Sequence, residues 1–464
     1  MSIISLNDID ILTARKIGKI KAEKYRILPY RLHNGKVEVL CEENNEDFTR
    51  EIQFLYGLAV RQVIIKKEQL DYFIDKIFFT QDNSAIEEKI ISDAIKLKAS
   101  DLHFEPYKDC IYIRVRIDGV LSLFNIITKE EYSVILSKIK IKSSLDITEH
   151  RKPQDGKISF NIADKIYDLR ISIIPIVFGE KIVLRILYND NFQYSIDNLK
   201  LLRNQKEQLE RIIIKSTGLV IVNGPTGSGK STTLYTILNH INNTKINIVT
   251  LEDPVEVIIS GINQMQVNTK EGISFSDGLR SLMRQDPNVI MVGEIRDEET
   301  AAMAVRAALT GHKVYTTIHC KDPREVYLRL EEMGVKNYLI RDSLVGIISQ
   351  RLIRLLCEEC KEEETIVYEN KEKTIAKRGS GCKRCNYTGY SGRALIVSVN
   401  EITRDINKII GSLYENNEML SNKQMIENLN ELLFSKKISK LDYVEFIDKE
   451  DIDYKYENYF ASKA

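Results

Sequence analysis

The amino-acid sequence predicts an α/β protein of several domains. From about residue 200 onward, short continuous apolar runs alternate with helical patterns, which is typical of buried parallel strands joined by crossover helices. Directly after the first of these runs comes a glycine-rich segment, Gly224–Thr232, of the kind that joins a strand to a helix. The length of 464 residues fits about three domains.

The charge balance argues against a nucleic-acid-binding protein. The chain has 67 basic and 67 acidic residues, so its formal net charge of zero gives no electrostatic reason for bulk binding to DNA or RNA. The first residues lack the basic start and apolar core of a signal peptide, and no apolar run approaches the ~18 residues of a membrane-spanning helix. We therefore expect a cytoplasmic protein without a transmembrane segment, which reaches a membrane through a partner.

The first 195 residues are predicted to form two α+β domains. Residues 1–80 contain two short strands around the turn signal His33-Asn34-Gly35, followed by a helix, a strand and a helix. Residues 81–195 begin with an amphipathic helix at Ser84–Lys98 and contain a hairpin turn at Asp118-Gly119. The strands predicted in this second domain are 101–105, 110–117, 120–127, 157–162, 165–174 and 180–187. The segment Tyr188–Ser195 has the composition of a linker.

Residues 196–350 are predicted to be the α/β core. Its buried parallel strands are Leu219–Val222, Ile246–Leu251, Val289–Val292 and Lys313–Ile318. Parallel α/β sheets bind ligands at the carboxyl edge of their strands. The residues that follow these four strands therefore form the candidate site.

The segment after Val222 fits the pattern G-x-x-x-x-G-K-[ST] in full and predicts a nucleoside triphosphate site. Its glycines let successive backbone N–H groups point at one phosphate, and the positive end of the following helix is directed at the same place. Lys230 is expected to contact the β- and γ-phosphates, and the Ser231 hydroxyl is a candidate Mg²⁺ ligand. The candidate nucleotide-binding residues are Gly224, Pro225, Thr226, Gly227, Ser228, Gly229, Lys230, Ser231 and Thr232.

Acidic residues and a histidine follow the other three predicted strands. Glu252 and Asp253 follow the second strand, Glu294 follows the third, and His319 follows the fourth. Carboxylates beside a phosphate loop can hold Mg²⁺ or orient the attacking water. Each acid alone is better explained as a solvated loop residue or a helix cap, and His319 alone as a hydrogen-bonded core histidine. Their occurrence at successive edges of one predicted sheet favours a shared site.

Four cysteines form a candidate metal site. Cys357, Cys360, Cys382 and Cys385 are two C-x-x-C pairs separated by residues 361–381. This spacing is typical of a structural zinc site, whose four thiolates leave no open coordination position. Two disulfides are the poorer interpretation in a reducing cytoplasm, and free or redox cysteines are the remaining alternative. We assign residues 351–395 to a tetracysteine zinc module and residues 396–464 to a C-terminal helical segment.

Together these segments resemble the assembly ATPases of type II secretion and type IV pili, in their pilus-extension form. The phosphate loop, acidic box, modified Walker B region and histidine box of that family are similar to Gly224–Thr232, Thr250–Glu256, Leu279–Asp297 and Thr310–His319. Its second amino-terminal domain is similar to the segments Ala99–Pro106, Arg114–Gly119, Pro153–Lys157 and Gly179–Leu187. The two cysteine pairs resemble its zinc module.

The resemblance implies a RecA-like P-loop ATPase domain preceded by a PAS-like domain, with ATP held between the two in each subunit of a homohexamer. Glu294 would be the catalytic carboxylate, and Glu252 and Asp253 would serve the metal and the water. His319 would contact the γ-phosphate. Arg170 and Arg185 of the PAS-like domain would reach the same phosphate, since the fixed fork of arginine matches phosphate oxygens.

The resemblance also implies partners and a location. The hexamer would act on a polytopic inner-membrane platform protein, which extracts pilin subunits, at the inner face of the cell membrane. Residues 1–80 resemble a short form of the family's recruitment domain, which would bind a further assembly protein. The expected cofactors are ATP, Mg²⁺ and Zn²⁺, with no direct contact to nucleic acid.

One departure from the family and several alternatives are left open. Gly293 stands where an ordinary Walker B motif has an aspartate, so the identity of the carboxylate that ligates Mg²⁺ is open. The alternatives are a competence pseudopilus ATPase for DNA uptake, a pilus-retraction ATPase, a RecA-like nucleic-acid motor and a non-catalytic scaffold. The four cysteines argue against the retraction branch, which lacks the zinc module. Zero net charge and the absence of Trp argue against a nucleic-acid motor, and the intact Glu294 and His319 argue against a scaffold.

Overall fold

The computed structural model describes most of the chain in two compact units, residues 1–190 and 191–464. The described residues are 4, 8–44, 47–78, 86–162, 165–188, 194–268, 271–368, 371–403 and 423–450. The predicted linker Tyr188–Ser195 falls mostly outside these ranges, as does the predicted boundary between residues 80 and 81.

The first unit begins with a small sheet flanked by helices. The elements are α1 (Ile11–Arg15), α2 (Lys19–Tyr25), β1 (Ile27–His33), β2 (Lys36–Cys41), α3 (Asp47–Tyr56), β3 (Ala59–Ile64) and α4 (Lys67–Ile77). Strand β2 pairs antiparallel with β1 and parallel with β3. The predicted turn joins β1 to β2, and Asn34 and Gly35 both have positive φ, 50° and 70°. Asparagine and glycine tolerate this region, which explains why the hairpin forms there.

The first unit continues with an antiparallel sheet covered by two helices. The elements are α5 (Ile86–Lys96), β4 (Asp101–Pro106), β5 (Ile111–Ile117), β6 (Val120–Ile127), α6 (Lys129–Lys142), β7 (Gln154–Ile162), β8 (Lys165–Ile176) and β9 (Gly179–Leu187). In the described residues the strand order is β6-β5-β4-β9-β8-β7. Apolar side chains of α5 and α6, such as Ile90 and Ile135, pack on Phe104 and Leu184 of the sheet. The opposite face carries charged side chains such as Asp101, Glu105 and Arg185, together with Leu123 and Ile126, which pack in the core of the small sheet.

The second unit is an α/β domain. After a short 3-10 helix at Ile196–Leu199, the elements are α7 (Arg203–Ile214), β10 (Gly218–Asn223), α8 (Lys230–Ile241), β11 (Ile248–Glu252), β12 (Asn263–Gln266), α9 (Phe275–Leu282), β13 (Val289–Val292), α10 (Glu298–Leu309), β14 (Lys313–Ile318), α11 (Pro323–Glu332), α12 (Asn337–Ser343), β15 (Leu344–Leu356), β16 (Glu362–Tyr368), β17 (Lys371–Lys377), β18 (Tyr390–Glu401), α13 (Lys423–Phe434) and α14 (Lys440–Glu450).

The large sheet of this unit has the order β12-β11-β13-β14-β10-β15-β18 in the described residues. Neighbouring strands are parallel from β12 to β15, and β18 pairs antiparallel with β15. One face is covered by α9, α10, α11 and α12 and the other by α7 and α8. Burial on both faces explains why these strands are continuous apolar runs without alternation. The four strands predicted in the core are confirmed, and Lys313–Ile318 matches its predicted bounds.

Two predicted domain boundaries fall inside strands. The boundary between residues 350 and 351 lies within β15, and that between 395 and 396 lies within β18. These two strands form one long antiparallel pair, from Gly346↔Glu401 to Leu356↔Tyr390, that runs continuously from the large sheet to the cysteine pairs. The cysteine module is therefore an extension of the sheet and is not separated from it by a linker.

The C-terminal segment, residues 396–464, is not purely helical as the sequence predicts. Its described part includes the second half of β18 as well as α13 and α14. Met425, Leu429, Leu433 and Tyr443 of these helices are fully buried against Ile375 of β17. The amphipathic faces of both helices thus complete a hydrophobic core with the β16–β17 hairpin.

Candidate functional site

The candidate residues of the second unit lie at one edge of the large sheet. Strands β11, β13, β14 and β10 are neighbours in that order and run parallel, so their carboxyl ends lie side by side. Glu252 is the last residue of β11, Glu294 comes two residues after β13, His319 follows β14, and Gly224 follows β10. The expected convergence of four strand ends is therefore found in the structure.

The phosphate-loop segment connects β10 to α8. Gly224 has a φ of 153°, and a Cβ at this position would lie 2.4 Å from the carbonyl oxygen of Gln350 on the neighbouring strand β15. A larger residue would therefore push the loop away from the sheet. Gly229 has a φ of 89° and immediately precedes α8, whose first-turn N–H groups point into the loop. The backbone has the form of an anion-binding concavity.

Lys230 is held inside this loop. Its Nζ donates to the carbonyl oxygens of Gly224 and Pro225, both at 2.9 Å, and lies 3.4 Å from Nδ1 of His319. Burial lowers the pKa of Lys230 to about 8, although the nearby Glu294 carboxylate acts to raise it. A partly desolvated ammonium gains more from an incoming phosphate than a hydrated one, because the local dielectric constant is low.

Glu294 lies between a histidine and an arginine. Its Oε2 is 3.6 Å from Nε2 of His319, and its Oε1 accepts a hydrogen bond from Arg296 at 2.5 Å. Burial lowers the pKa of His319, and the Lys230 ammonium lowers it further, so the imidazole is neutral near pH 7. A continuous polar chain thus runs from Lys230 through His319 to Glu294 and Arg296. It places the Glu294 carboxyl group beside the phosphate loop, where it can orient a water molecule.

Glu252 has a different environment from Glu294. It is 4% exposed, and its Oε1 accepts hydrogen bonds from Thr250 at 2.6 Å and Gln264 at 3.1 Å. Tyr235 of α8 donates to its Oε2. These contacts fix Glu252 within the protein, whereas Asp253 next to it is exposed.

The fit of a magnesium ion depends on oxygen atoms near the loop. Ser231, in the first turn of α8, is exposed, so its hydroxyl is accessible. Gly293 contributes no side chain, and a Cβ there would already lie 3.3 Å from the carbonyl oxygen of Leu251. At the strand ends, Asp253 is exposed and Glu294 is partly exposed, so both carboxyl groups are accessible. The donor set suits a hard, oxygen-preferring ion.

The four cysteines of the C-x-x-C pairs come together in the structure. Their Sγ atoms all lie within 4.8 Å of one another, with Cys357–Cys382 and Cys360–Cys385 both at 3.7 Å. Four sulfurs at about 2.3 Å from a tetrahedral Zn²⁺ would be about 3.8 Å apart, so the cluster fits this ion.

The backbone around the cluster favours thiolate ligands. The N–H groups of Cys382 and Gly389 donate to Sγ of Cys385 at 3.2 and 3.3 Å. Although burial acts in the opposite direction, these bonds contribute to a pKa of Cys385 of about 7. Gly381 has a φ of 95°, and a Cβ there would come within 2.6 Å of the Tyr387 backbone, so the loop closes only with glycine.

Arg170 and Arg185 belong to the other compact unit. They are directly opposite each other on β8 and β9, so both side chains leave the same face of the antiparallel sheet. The Nε of Arg185 donates to Oδ1 of Asp101 at 2.9 Å, and its side chain is 63% exposed. The structure thus brings these two arginines together on one face of their own sheet.

Two residues near the loop were not predicted from the sequence. Gln350 donates from Nε2 to the carbonyl oxygen of Ser228 at 2.8 Å, and Arg351 is 3% exposed behind the loop. The sequence signal that could have found Arg351 is its position inside the mainly apolar segment Leu344–Leu356. An arginine in a buried strand needs specific partners. Their partners are distant in the sequence, which is why no local pattern revealed them.

Comparison with known proteins gives consistent matches over most of the chain. A family model described as "Type II/IV secretion system protein" matches residues 81–442. The chain is 36% identical over 439 residues to "Putative type II secretion system protein E" of Escherichia coli strain K12, covering 90% of this chain and 88% of that protein. It is 37% identical over 448 residues to "Type IV pilus assembly ATPase PilB" of Acinetobacter baylyi, covering 85% of this chain and 76% of that protein.

Solved structures support the same fold. The ATPase DotB of Legionella pneumophila has a TM-score of 0.60 at 22% identity, covering 80% of this chain and 97% of that chain. The pilus retraction motor PilT with bound ADP has a TM-score of 0.51 at 26% identity, covering 77% of this chain and 96% of that chain. In the described part of this chain, no helix is long and apolar enough to cross a bilayer.

Proposed function

The chain belongs to the Type II/IV secretion system protein family, and we propose from this premise that it hydrolyses ATP to drive assembly of type IV pili or type II secretion pseudopili. The chain has the α/β ATPase fold of secretion and pilus traffic ATPases. The observation that carries the proposal is the polar chain Lys230–His319–Glu294–Arg296 beside the phosphate loop. It combines phosphate binding with a carboxylate that can activate water, as phosphoryl transfer to water requires.

We assign a role to each candidate residue at the carboxyl ends of the strands. The backbone of Gly224–Thr232 cradles the phosphates, and Lys230 contributes positive charge to them. Glu294 orients or deprotonates the attacking water, and the neutral imidazole of His319 contacts the γ-phosphate. Mg²⁺ would neutralise charge on the phosphates, held by the Ser231 hydroxyl and served by Asp253. Glu252 is assigned a positioning role, because Tyr235, Thr250 and Gln264 all donate hydrogen bonds to its carboxylate.

The arginines of the antiparallel sheet are proposed to complete the site. The second unit would be the RecA-like domain, and the sheet of β4–β9 the PAS-like domain, of one subunit in a homohexamer. Arg170 and Arg185, side by side on one face, offer two forks for phosphate oxygens. If both reach the γ-phosphate, its hydrolysis is coupled to movement between the domains.

The proposed partner is a polytopic inner-membrane platform protein, with the hexamer bound at the inner face of the membrane. Residues 1–80 are proposed to recruit a further assembly protein. The four-cysteine cluster is proposed to hold Zn²⁺, which would stabilise the extension formed by β15–β18. A role in a competence pseudopilus would use the same chemistry and the same kind of partner.

A direct test is ATP hydrolysis by the purified chain with Mg²⁺, alone and with the cognate platform protein in lipid vesicles. We expect turnover in the wild type, stimulation by vesicles that carry the platform protein, and none by empty vesicles. Light scattering with a non-hydrolysable ATP analogue should report six subunits. Lys230→Ala should abolish both turnover and analogue-induced assembly. Hydrolysis that responds to single-stranded DNA and not to the platform protein would overturn the proposed function.

A further inference from the structure

Arg351 lies behind the phosphate loop and has partners on every donor nitrogen. Its Nη1 donates to the carbonyl oxygen of Gln350 at 2.9 Å, and its Nη2 donates to that of Lys321 at 2.6 Å. Its Nε donates to Oε2 of Glu450 at 2.6 Å, and Nη2 lies equally close to the same oxygen. The Arg351 side chain is 4% exposed and that of Glu450 is 16% exposed, so this is a largely buried ion pair.

Two partners of Arg351, Gln350 of β15 and Lys321, lie beside the candidate ATP site. The carbonyl oxygen of Gln350 is the atom against which Gly224 packs, and a Cβ on Gly224 would lie 3.3 Å from Nη1 of Arg351. Lys321 comes two residues after His319 and is held by Arg351 through its carbonyl oxygen. The guanidinium thus lies against the start of the phosphate loop and is hydrogen-bonded to the segment that carries His319.

Glu450 supplies the negative charge that compensates the buried guanidinium of Arg351. The pKa of Lys230 is lowered mainly by burial and raised by the Glu294 carboxylate. The guanidinium of Arg351 is close enough to lower it further. A buried guanidinium without a counter-charge is strongly unfavourable, because desolvation is then not compensated. The carboxylate of Glu450 therefore keeps Arg351 in place beside a second cation.

Glu450 is the last residue of α14, which is anchored to the cysteine module. Tyr443, Phe446 and Ile447 of this helix are packed in one core with Ile375 of β17. Asp442 accepts a hydrogen bond at 2.8 Å from Tyr390, which begins β18 shortly after the second cysteine pair. The position of Glu450 is thereby fixed by residues around the cysteines.

We propose that Arg351 and Glu450 are a positioning pair through which α14 holds the His319 segment against the phosphate loop and sets the rate of ATP hydrolysis. The proposal rests on the proposed function of this site in ATP hydrolysis. Neither residue touches the nucleotide in this account. Both act through Gln350 and Lys321, so their loss affects the alignment of His319 and leaves the phosphate loop itself intact.

The test compares Glu450→Gln with Glu450→Asp and Glu445→Gln in the full-length protein. Glu450→Gln keeps the shape of the side chain and removes its charge, and Glu450→Asp restores the charge. Glu445 lies on the same helix, and its exposed carboxylate pairs with Lys449 at 3.1 Å. Glu445→Gln is therefore the matched loss of an ion pair away from the site. All rates are measured well below the unfolding midpoint of each variant.

We expect Glu450→Gln to lower kcat at saturating ATP by about fivefold to tenfold, with a KM change below about twofold. ADP affinity should be unchanged, because the bond between Gln350 and Ser228 still supports the loop. Hydrogen exchange of the peptide that spans residues 318–322 should be faster in Glu450→Gln. Glu450→Asp should recover most of both effects, and Glu445→Gln should match the wild type.

Equal kcat and equal exchange in Glu450→Gln and Glu445→Gln would overturn the pair. A lower kcat without faster exchange at residues 318–322 would also overturn it, since the proposed route runs through Lys321. The exchange comparison does not need turnover. If the wild type failed to hydrolyse ATP, the proposed function would fall, and the exchange measurement would still decide whether α14 holds this segment.

Discussion

Tyr235 of α8 donates a hydrogen bond from its phenolic hydroxyl to Oε2 of Glu252, the last residue of β11. The helix that follows the phosphate loop is thus hydrogen-bonded to the carboxyl end of β11. In the sheet, β11 is separated from β14 by β13. Both side chains are buried, and burial together with the Glu252 carboxylate raises the pKa of Tyr235, so the phenol stays protonated. This contact fixes the orientation of α8 relative to the sheet edge.

Tyr235→Phe tests the importance of this contact. The change removes a donor from a buried carboxylate, which should lower the free energy of unfolding by about 1–3 kcal/mol. It should also reduce ATP turnover, because α8 carries the first-turn N–H groups of the phosphate loop. Urea unfolding and steady-state hydrolysis measure the two effects.

Tyr315→Phe is the matched control. Tyr315 of β14 is equally buried, but its hydroxyl has no hydrogen-bond partner among the described residues. Removing this hydroxyl should leave stability unchanged or raise it, since an unsatisfied buried polar group is lost. Equal destabilisation by both changes would show that the hydroxyl of Tyr235 contributes nothing specific.

Removal of the metal should affect the cysteine module. Protein purified without added metal should contain about one Zn²⁺ per chain, and a strong chelator should lower the thermal unfolding midpoint. Cys382→Ser should lose the metal, whereas Cys110→Ser, at a lone cysteine outside the cluster, should keep it. Elemental analysis measures the zinc content. Native protein that contains no metal and whose four cluster thiols react freely with a labelling reagent would exclude the site.

Arg170→Ala and Arg185→Ala test whether the antiparallel sheet contributes to hydrolysis. Either change should lower kcat by about tenfold or more, since arginines that stabilise a transferring phosphoryl group have large effects. ADP affinity should be nearly unchanged, because ADP has no γ-phosphate for them to contact. Arg203→Ala, at an arginine that is 94% exposed and pairs with Glu207, is the control. A double variant with normal turnover, or with equal loss of ADP and ATP binding, speaks against this role.

The sequence predicted well what depends on local pattern. The run Lys313–Ile318 is buried along its whole length, begins after Gly311-His312 and is followed by His319, so local sequence marks its bounds. The turn at Asp118 and Gly119, with φ of 50° and 84°, is equally local, because few other residues tolerate such angles. The proximity of Glu294 and His319 followed from the rule that parallel strands end at one edge.

Features that depend on distant partners could not be predicted. The pairing of β15 with β18 joins segments separated by the cysteine module, so the predicted domain boundaries cut through both strands. Arg351 and Glu450 are 99 residues apart, and the sequence gives each no local reason to meet the other. Glu252 was expected to serve the metal and the water, yet its hydrogen bonds to Tyr235 and Gln264 arise from packing between separate elements.

The central claim is that Glu294 activates water for hydrolysis of an ATP molecule bound at the phosphate loop. The most direct measurement is steady-state turnover of Glu294→Gln beside an equilibrium titration with ATP. Glu299→Gln is the control, since Glu299 is an exposed acid nearby that pairs with Arg280. We predict that Glu294→Gln binds ATP as the wild type does while its turnover falls by about two orders of magnitude or more. Near-normal turnover in Glu294→Gln would contradict the claim.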